Sequence, residues 1–218
     1  MILNKYEMKL ISYSYNEEKT LEEQVTYCAR VSNPTSQENN LNNPQLIAYL
    51  MKHGHWSPFE MVSLCLEIET TRDIARQILR HRSFSFQEFS QRYAIPSLDL
   101  VKRDARIQDT RNRQNSLESQ DLVLKRKWDE LQDEVGHASH KAYSWAIQQG
   151  IAKEQARAVL PEGLTKTRMY MNGTLRSWIH YIQARSGPDT QKEHREIAMA
   201  CAHTIAPVFP LILSFVSI

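Results

Sequence analysis

The segment Arg80-His81-Arg82-Ser83-Phe84-Ser85-Phe86-Gln87-Glu88-Phe89-Ser90-Gln91-Arg92-Tyr93 places three arginines, one histidine and three serines within fourteen positions. Guanidinium groups stay charged at physiological pH and present a planar fork of donors that suits phosphate oxygens. The serine hydroxyls and the imidazole add neutral donors for further anionic oxygens. An arginine run at a helix end ordinarily complements the helix dipole and is solvated. Here Phe84, Phe86 and Phe89 alternate with the polar positions, so part of the segment must pack on a core. Glu88 lies among the cations, where it can pair with an arginine or orient a ligand group. The pattern points to a site for a phosphorylated ligand.

The elements that must position this segment can be read on either side of it. Lys9 to Tyr15 has strand character, and Glu17 to Arg30 is predicted helical with Leu21, Val25 and Cys28 on one face. Ser32 to Pro44 is a polar loop, Pro44 to His53 a helix, and His55 to Pro58 a turn. Val62, Leu64, Leu66 and Ile68 alternate with Ser63, Cys65, Glu67 and Glu69, the period-two pattern of a strand. Arg72 to Arg80 returns to helical spacing. Tyr93 to Arg113 is charged and poor in apolar residues, and reads as a solvated loop. Ser116 to Gln149 reads as one long helix with Leu117, Val123 or Leu124, Trp128, Leu131, Val135, Ala138, Ala142 and Trp145 at three-four spacing, stopped by Gly150. A shorter helix runs to Leu160 before Pro161; Thr167 to Met171 reads as a strand, and Thr174 to Arg185 and Gln191 to Ala206 as helices. The expected fold is α+β, a modest mixed or antiparallel sheet flanked by helices with one long helix in the middle of the chain.

With 27 basic and 25 acidic residues among 218, the formal net charge is +2. That balance argues against a dedicated nucleic-acid coat, whose affinity comes from many phosphate contacts. Cys28, Cys65 and Cys201 are odd in number and lack CxxC spacing, which suits a reducing compartment. Met1 to Leu10 holds no apolar run of the secretory kind. Phe209 to Ile218 is too short to span a bilayer and is interrupted by Pro210. It reads as a tail docked on the core or on a neighbouring subunit. The expectation is a soluble protein of the cytoplasm (the host cytoplasm if the source is viral), with no membrane or nucleic-acid partner.

Arg80-His81-Arg82, seven residues, Ser90, then Arg92-Tyr93 resembles the signature of the flavin-dependent thymidylate synthases. Ala29-Arg30-Val31-Ser32, His55-Trp56-Ser57-Pro58-Phe59-Glu60, Ala156-Arg157-Ala158-Val159-Leu160-Pro161 and Leu175-Arg176-Ser177-Trp178-Ile179-His180 resemble further family segments, in the family's order, from about Lys9 to the C-terminus. The resemblance implies a single domain over 1–218 and a homotetramer with sites shared between subunits. It implies synthesis of dTMP from dUMP, with methylenetetrahydrofolate as carbon donor and NADPH-reduced FAD as hydride source. The flavin carries the hard chemistry, so no protein nucleophile is required.

By matching position, the resemblance assigns Arg80, His81 and Arg82 to FAD, and Gln77, Ile78, Leu79 and Arg80 to the dUMP site. Glu88, Phe89, Ser90, Gln91 and Arg92 match the part that holds dUMP from across a subunit interface, Glu88 also touching FAD. Arg157 matches a dUMP-phosphate ligand. Ser57 and Glu60, and Thr174, Leu175, Arg176 and His180, match flavin contacts. Arg185 matches the residue that ionises the uracil ring, also a dUMP contact. Its cation would stabilise enolate-like charge, an effect of about 2.7–4 kcal/mol by analogy with oxyanion-hole donors. Gln87 and His180 stand where the family often has asparagine, and Met169 to Gly173 resembles a small insertion. Taken singly, Arg157 and Arg176 could pair with acids on adjacent helices, and Arg185 could cap its own helix end. Ser90 lacks a neighbouring base in the sequence and is read as a donor to dUMP.

Three other readings are open to these residues. His53/His55, His137/His140 or His180/His194/His203 could hold a metal, although none has a well-spaced acidic or cysteine partner; the expected metal is none. Arg80–Arg92 and Lys102–Arg113 with interleaved phenylalanines could bind single-stranded nucleic acid. A thymidylate synthase of the cysteine-nucleophile kind would need one of the three thiols, but Cys65 and Cys28 read as inward packing residues.

Overall fold

The computed structural model describes residues 7–216. The chain forms β1 (Met8–Tyr13), α1 (Leu21–Ala29), α2 (Asn43–Lys52), β2 (Ser63–Thr71), α3 (Arg72–Ile78), β3 (Ser85–Glu88), β4 (Arg106–Gln108), β5 (Ser116–Glu118), α4 (Leu122–Gln148), α5 (Lys153–Ala156), β6 (Lys166–Thr174), α6 (Leu175–Arg185) and α7 (Lys192–Ile205). The main sheet has the order β1-β2-β6-β3, and every pairing is antiparallel. The α+β expectation holds, with α4 as the long helix. Met1–Tyr6 and the last two residues of the apolar tail, Ser217 and Ile218, lie outside the described residues.

The centre is the β2–β6 ladder, which runs in unbroken register from Ser63↔Thr174 to Thr71↔Lys166. Leu64, Leu66 and Ile68 of β2 and Met169 and Met171 of β6 point to one face, where Ile74 and Ile78, Leu175, Trp178 and Ile182, and Ile197, Cys201 and Ile205 pack against them. Buried aliphatic area of this kind stabilises by roughly 25 cal/mol per Å². Trp178 places its indole N–H 3.1 Å from the Leu64 carbonyl, so the largest core ring leaves no donor unpaired. The opposite face is charged: Glu67 accepts from the Tyr170 hydroxyl at 2.8 Å, and Glu69 from Arg168 Nε at 3.0 Å.

Local chemistry sets several boundaries differently from the sequence reading. The first helix starts at Leu21, because Thr20 and Glu23 form a reciprocal capping box. Asp121 accepts from the N–H groups of Val123 and Leu124, so α4 begins at Leu122, and Ser116–Glu118 is a strand. The segment expected to be a solvated loop, Tyr93 to Arg113, contains β4, which pairs with β5. Three of its cations are engaged: Lys102 Nζ lies 2.8 Å from Asp129 and 3.0 Å from Asp133, Arg103 Nη2 lies 2.9 Å from Asp73, and Arg106 Nη2 lies 2.6 Å from Glu193. Ser85–Glu88 pairs with β6 as an edge strand. Met169 to Gly173 sits in regular strand, with no loop. Cys65 faces away from Leu64 and Leu66 and is half-buried, as is Cys28; only Cys201 is buried.

The apolar stripe of α4 faces outward. Leu122, Val123, Leu124, Trp128, Leu131, Val135 and Trp145 are 39–79% exposed, whereas Gln132, Gly136, Ser139, Tyr143 and Ala146 face the chain. The inward contacts include Gly136 against Leu100, the Ser139 hydroxyl donating to the Val159 carbonyl at 2.7 Å, Gln132 spanning the Arg103 backbone, and Tyr143 and Ala146 packed with Ala156 and Leu160.

Gly173 lies under the Phe84 ring, and a Cβ there would sit 2.4 Å from Phe84 Cδ1. Gly173→Ala is expected to lower stability by about 1–3 kcal/mol, the range for overpacking. Urea unfolding checks this, and Phe84→Leu in the same chain is expected to recover much of the loss.

Candidate functional site

Three patches gather the residues singled out from the sequence. The first lies where the C-terminal ends of α3 and α6 meet. Ile78 is wholly buried in the core and Leu79 half-buried, so their side chains pack and hold the turn that follows. His81 turns inward, and its Nε2 accepts a hydrogen bond from Arg185 Nε at 2.9 Å. A ring nitrogen that accepts from a cation carries no proton, so His81 is the neutral Nδ1–H tautomer. Burial, with Arg185 and Arg80 nearby, pushes its pKa down to about 4. Arg185 thereby keeps its two terminal nitrogens uncommitted to any carboxylate among the described residues. Arg80 and Arg82 are exposed and likewise lack an acidic partner among the described residues. The patch therefore holds three uncompensated guanidinium groups. Behind it, His194 is 1% exposed, with its ring 6.3 Å from that of His81.

The second patch is a cleft of about 270 Å³ lined by Arg72, Arg76, Gln91, Arg157 and Glu162. Gln91 is 3% exposed, and its Nε2 is buried without a partner. An unpaired buried donor costs about 1–3 kcal/mol, so an acceptor entering here would be well received. Glu88 borders the cleft, receiving Arg72 Nη1 at 3.2 Å and the Thr167 hydroxyl at 3.0 Å. It pairs with arginines of α3 and not with those of its own segment. Ser90 Oγ accepts from the Arg92 N–H at 3.3 Å and contacts no base. Arg92 extends to Glu154 at 3.5 Å, and Phe89 is exposed.

The third patch is the turn Ser57–Glu60 with the N-terminus of α6. Glu60 and Arg176 form an ion pair, and His180 packs edge-on to Trp56 with ring centroids 4.7 Å apart. Partial burial and Arg176 lower the His180 pKa. Thr174 caps α6 through its hydroxyl, and Leu175 is buried, so both shape the turn.

The helix α3 joins the first two patches, sending Arg72 and Arg76 to the cleft and Gln77 toward His194. Sequence reasoning did not single out Arg72 and Arg76. Their i, i+4 spacing is a signal, but solvated helices carry the same one. It also missed Tyr181, Gln191 and, outside a metal set, His194. No group of three His, Cys, Asp or Glu that could hold a metal occurs among the described residues. No helix among them is long and apolar enough to cross a membrane.

Comparison with known proteins adds a second line of observation. The family model described as thymidylate synthase complementing protein matches residues 9–211. A flavin-dependent thymidylate synthase of Synechocystis sp. is 50% identical over 188 residues, 86% of each chain. A probable flavin-dependent thymidylate synthase of Paramecium bursaria Chlorella virus 1 is 47% identical over 193 residues, 88% of this chain and 89% of its own. Among solved structures, the UMP/dUMP methylase PolB from Streptomyces cacaoi bound with 5-Br dUMP has a TM-score of 0.83 at 24% identity, covering 98% of this chain and 95% of that one. At that identity the likeness bears on fold alone.

The two inner histidines set a pH dependence. Their folded pKa values are about 4 for His81 and about 3 for His194, below the ordinary 6.5, with burial the first cause and Arg185 the second in each case. Below pH 6.5 the unfolded chain takes up protons that the folded chain refuses. The stability is therefore complete above 6.5 and is lost as pH falls toward the folded values. Urea midpoints are expected to drop between about pH 7 and about pH 5, before most carboxylates titrate. Replacing both histidines by asparagine is expected to flatten that drop; a wild-type midpoint constant over the interval would contradict the assignment.

Proposed function

This chain belongs to the flavin-dependent thymidylate synthase family, and from that premise we propose that it converts dUMP to dTMP, using methylenetetrahydrofolate as carbon donor and FAD reduced by NADPH as hydride source. The observation that carries the mechanism is Arg185, held by one nitrogen on neutral His81 with no carboxylate paired to its guanidinium among the described residues. A fixed cation of this kind, beside a uracil ring, stabilises negative charge on the ring and makes its carbon 5 nucleophilic. A protonated His81 would repel Arg185, so its lowered pKa keeps the arginine in place.

The residues fit FAD by their chemistry. The uncompensated guanidinium groups of Arg80 and Arg82 suit a pyrophosphate, and Ser57, Glu60, Arg176 and His180 offer polar contacts beside the Trp56 ring. When bound, the flavin supplies the hydride. The cleft of Arg72, Arg76, Gln91 and Arg157 suits the phosphate of dUMP, with Gln91 contributing its unpaired N–H. The thiols support a mechanism without a protein nucleophile: burial pushes both the Cys65 and Cys201 thiols up, away from the thiolate form. Among the described residues no base bonds the Ser90 hydroxyl to activate it.

Two features support a homotetramer with shared sites. The expected ligand residues fall into three patches of one chain, and the exposed apolar stripe of α4 is of the kind that subunit contacts cover. We place this enzyme in the cytoplasm and treat the chain as one domain.

The purified protein is expected to show flavin absorbance that bleaches on anaerobic NADPH addition, at a rate altered by dUMP. A colourless protein that takes up no FAD would overturn this reading. Arg185→Ala is expected to cut turnover about 10²–10³-fold while retaining flavin. If the variant loses FAD and keeps dUMP affinity, Arg185 serves the flavin instead. Val135→Glu combined with Trp145→Glu is expected to shift sedimentation toward smaller species; an unchanged assembly would place the subunit contacts elsewhere.

A further inference from the structure

A chain of hydrogen bonds runs beneath the first patch, and its direction can be deduced from one end. The Glu193 carboxylate is 3% exposed and accepts from Arg106 Nη2 at 2.6 Å, with Arg103 Nη1 at 3.5 Å. Burial alone would raise its pKa, but the hydrogen bond from Gln191 and the two arginines outweigh that and hold it ionised. An ionised carboxylate only accepts, so the Gln191 group 2.9 Å away is its Nε2. Gln191 Oε1 is then the acceptor for Gln77 Nε2 at 2.8 Å. Gln77 Oε1 in turn needs a donor, which is His194 Nδ1 at 3.3 Å. That leaves His194 Nε2 bare, to accept from the Tyr181 hydroxyl at 3.2 Å. Burial keeps the Tyr181 phenol protonated and able to donate. Every member has one consistent role.

We propose that His194 is a positioning residue for the nucleotide site: its Nδ1–H, set by the chain from Glu193 to Tyr181, fixes which way the Gln77 amide faces. A glutamine amide can rotate by half a turn at little cost when solvated, exchanging donor for acceptor. Here rotation would set Gln77 Nε2 against the His194 N–H and Oε1 against Gln191 Oε1, replacing two hydrogen bonds by two repulsions. The remaining N–H and lone pair of Gln77 therefore have fixed positions toward a ligand. His194 itself is almost wholly enclosed, so it acts through Gln77. This inference rests on the reading of the first patch as part of the dUMP site.

Two isosteric replacements separate this role from packing. Asparagine places an amide donor near the position of Nδ1 and can restore the bond to Gln77. Glutamine places its amide near Nε2 and can restore only the contact with Tyr181. In flavin-loaded enzyme, His194→Gln is expected to raise KM for dUMP about five- to tenfold, the effect of one neutral hydrogen bond, with kcat nearly unchanged. His194→Asn is expected to stay within about twofold of wild type. In a Gln77→Met background the His194→Gln change is expected to add no further rise. Equal KM values for the two variants, a better glutamine than asparagine variant, or an additive effect with Gln77→Met would each overturn the inference. The Gln77→Met comparison decides alone if the asparagine variant does not fold. A wild-type protein that binds flavin but forms no dTMP would overturn the functional reading, and this inference with it.

Discussion

The site depends on one geometric constraint, the uninterrupted nine-residue ladder between β2 and β6. Each strand passes without a loop into a helix: Thr71 into α3, and Thr174 into α6. Because the strands are antiparallel, those helices start at opposite ends of a ladder about 30 Å long. Both lay their apolar faces on the same side of the sheet and so run toward one another. An α3 of seven residues spans about 10 Å and an α6 of eleven about 16 Å, so their ends come together over the sheet's middle. His81 and Arg185 meet at that point. A residue inserted in either helix would rotate its terminal side chain by about 100° and move it away from the other.

Electrostatics then decides what the meeting point holds. Arg185, Arg80 and Arg82 lie within a short stretch of two chain segments, and their mutual repulsion needs either a ligand or nearby anions. The buried anion Glu193 pairs with Arg103 and Arg106, while Asp73 also engages Arg103. These pairs order the segment after Tyr93 and leave the guanidinium groups of the first patch uncompensated. Neutral histidines fill the space behind Arg185, contributing hydrogen bonds without adding charge. A site left positive in this way is prepared for anionic substrates and binds them without displacing an internal partner.

How much could be read from residues alone follows from the range over which each signal acts. The alternation of Leu64, Leu66 and Ile68 and the cap at Thr174 are local, so β2 and α6 were legible. The concentration of arginine around His81 marked the site, because residue type and spacing are local too. The bond between His194 and Gln77 joins positions 117 apart, and no local pattern announces it. β4 and β5 have three residues each, too few to show a period of two. Tyr93 to Arg113 looked solvated because charge count is visible in a sequence while charge pairing is not. Cys65 reads as inward because it lies among apolar residues, yet it shares its face with Glu67 and Glu69. Counting from Ser63 already gives that phase.

The helix α4 shows the same limit from the other side. Its three-four spacing identified a helix with an apolar stripe, and periodicity cannot say what that stripe meets. The fold buries the opposite face, where Gly136 admits Leu100, Gln132 satisfies the otherwise unpaired Arg103 backbone groups, and Tyr143 and Ala146 pack with Ala156 and Leu160. Leu131, Val135 and Trp145 are thereby turned outward on a helix of 27 residues. Within one chain that orientation is unfavourable, since large apolar side chains gain nothing from water. It becomes favourable once another surface covers them, so the proposed assembly accounts for the same residues that the single chain leaves exposed.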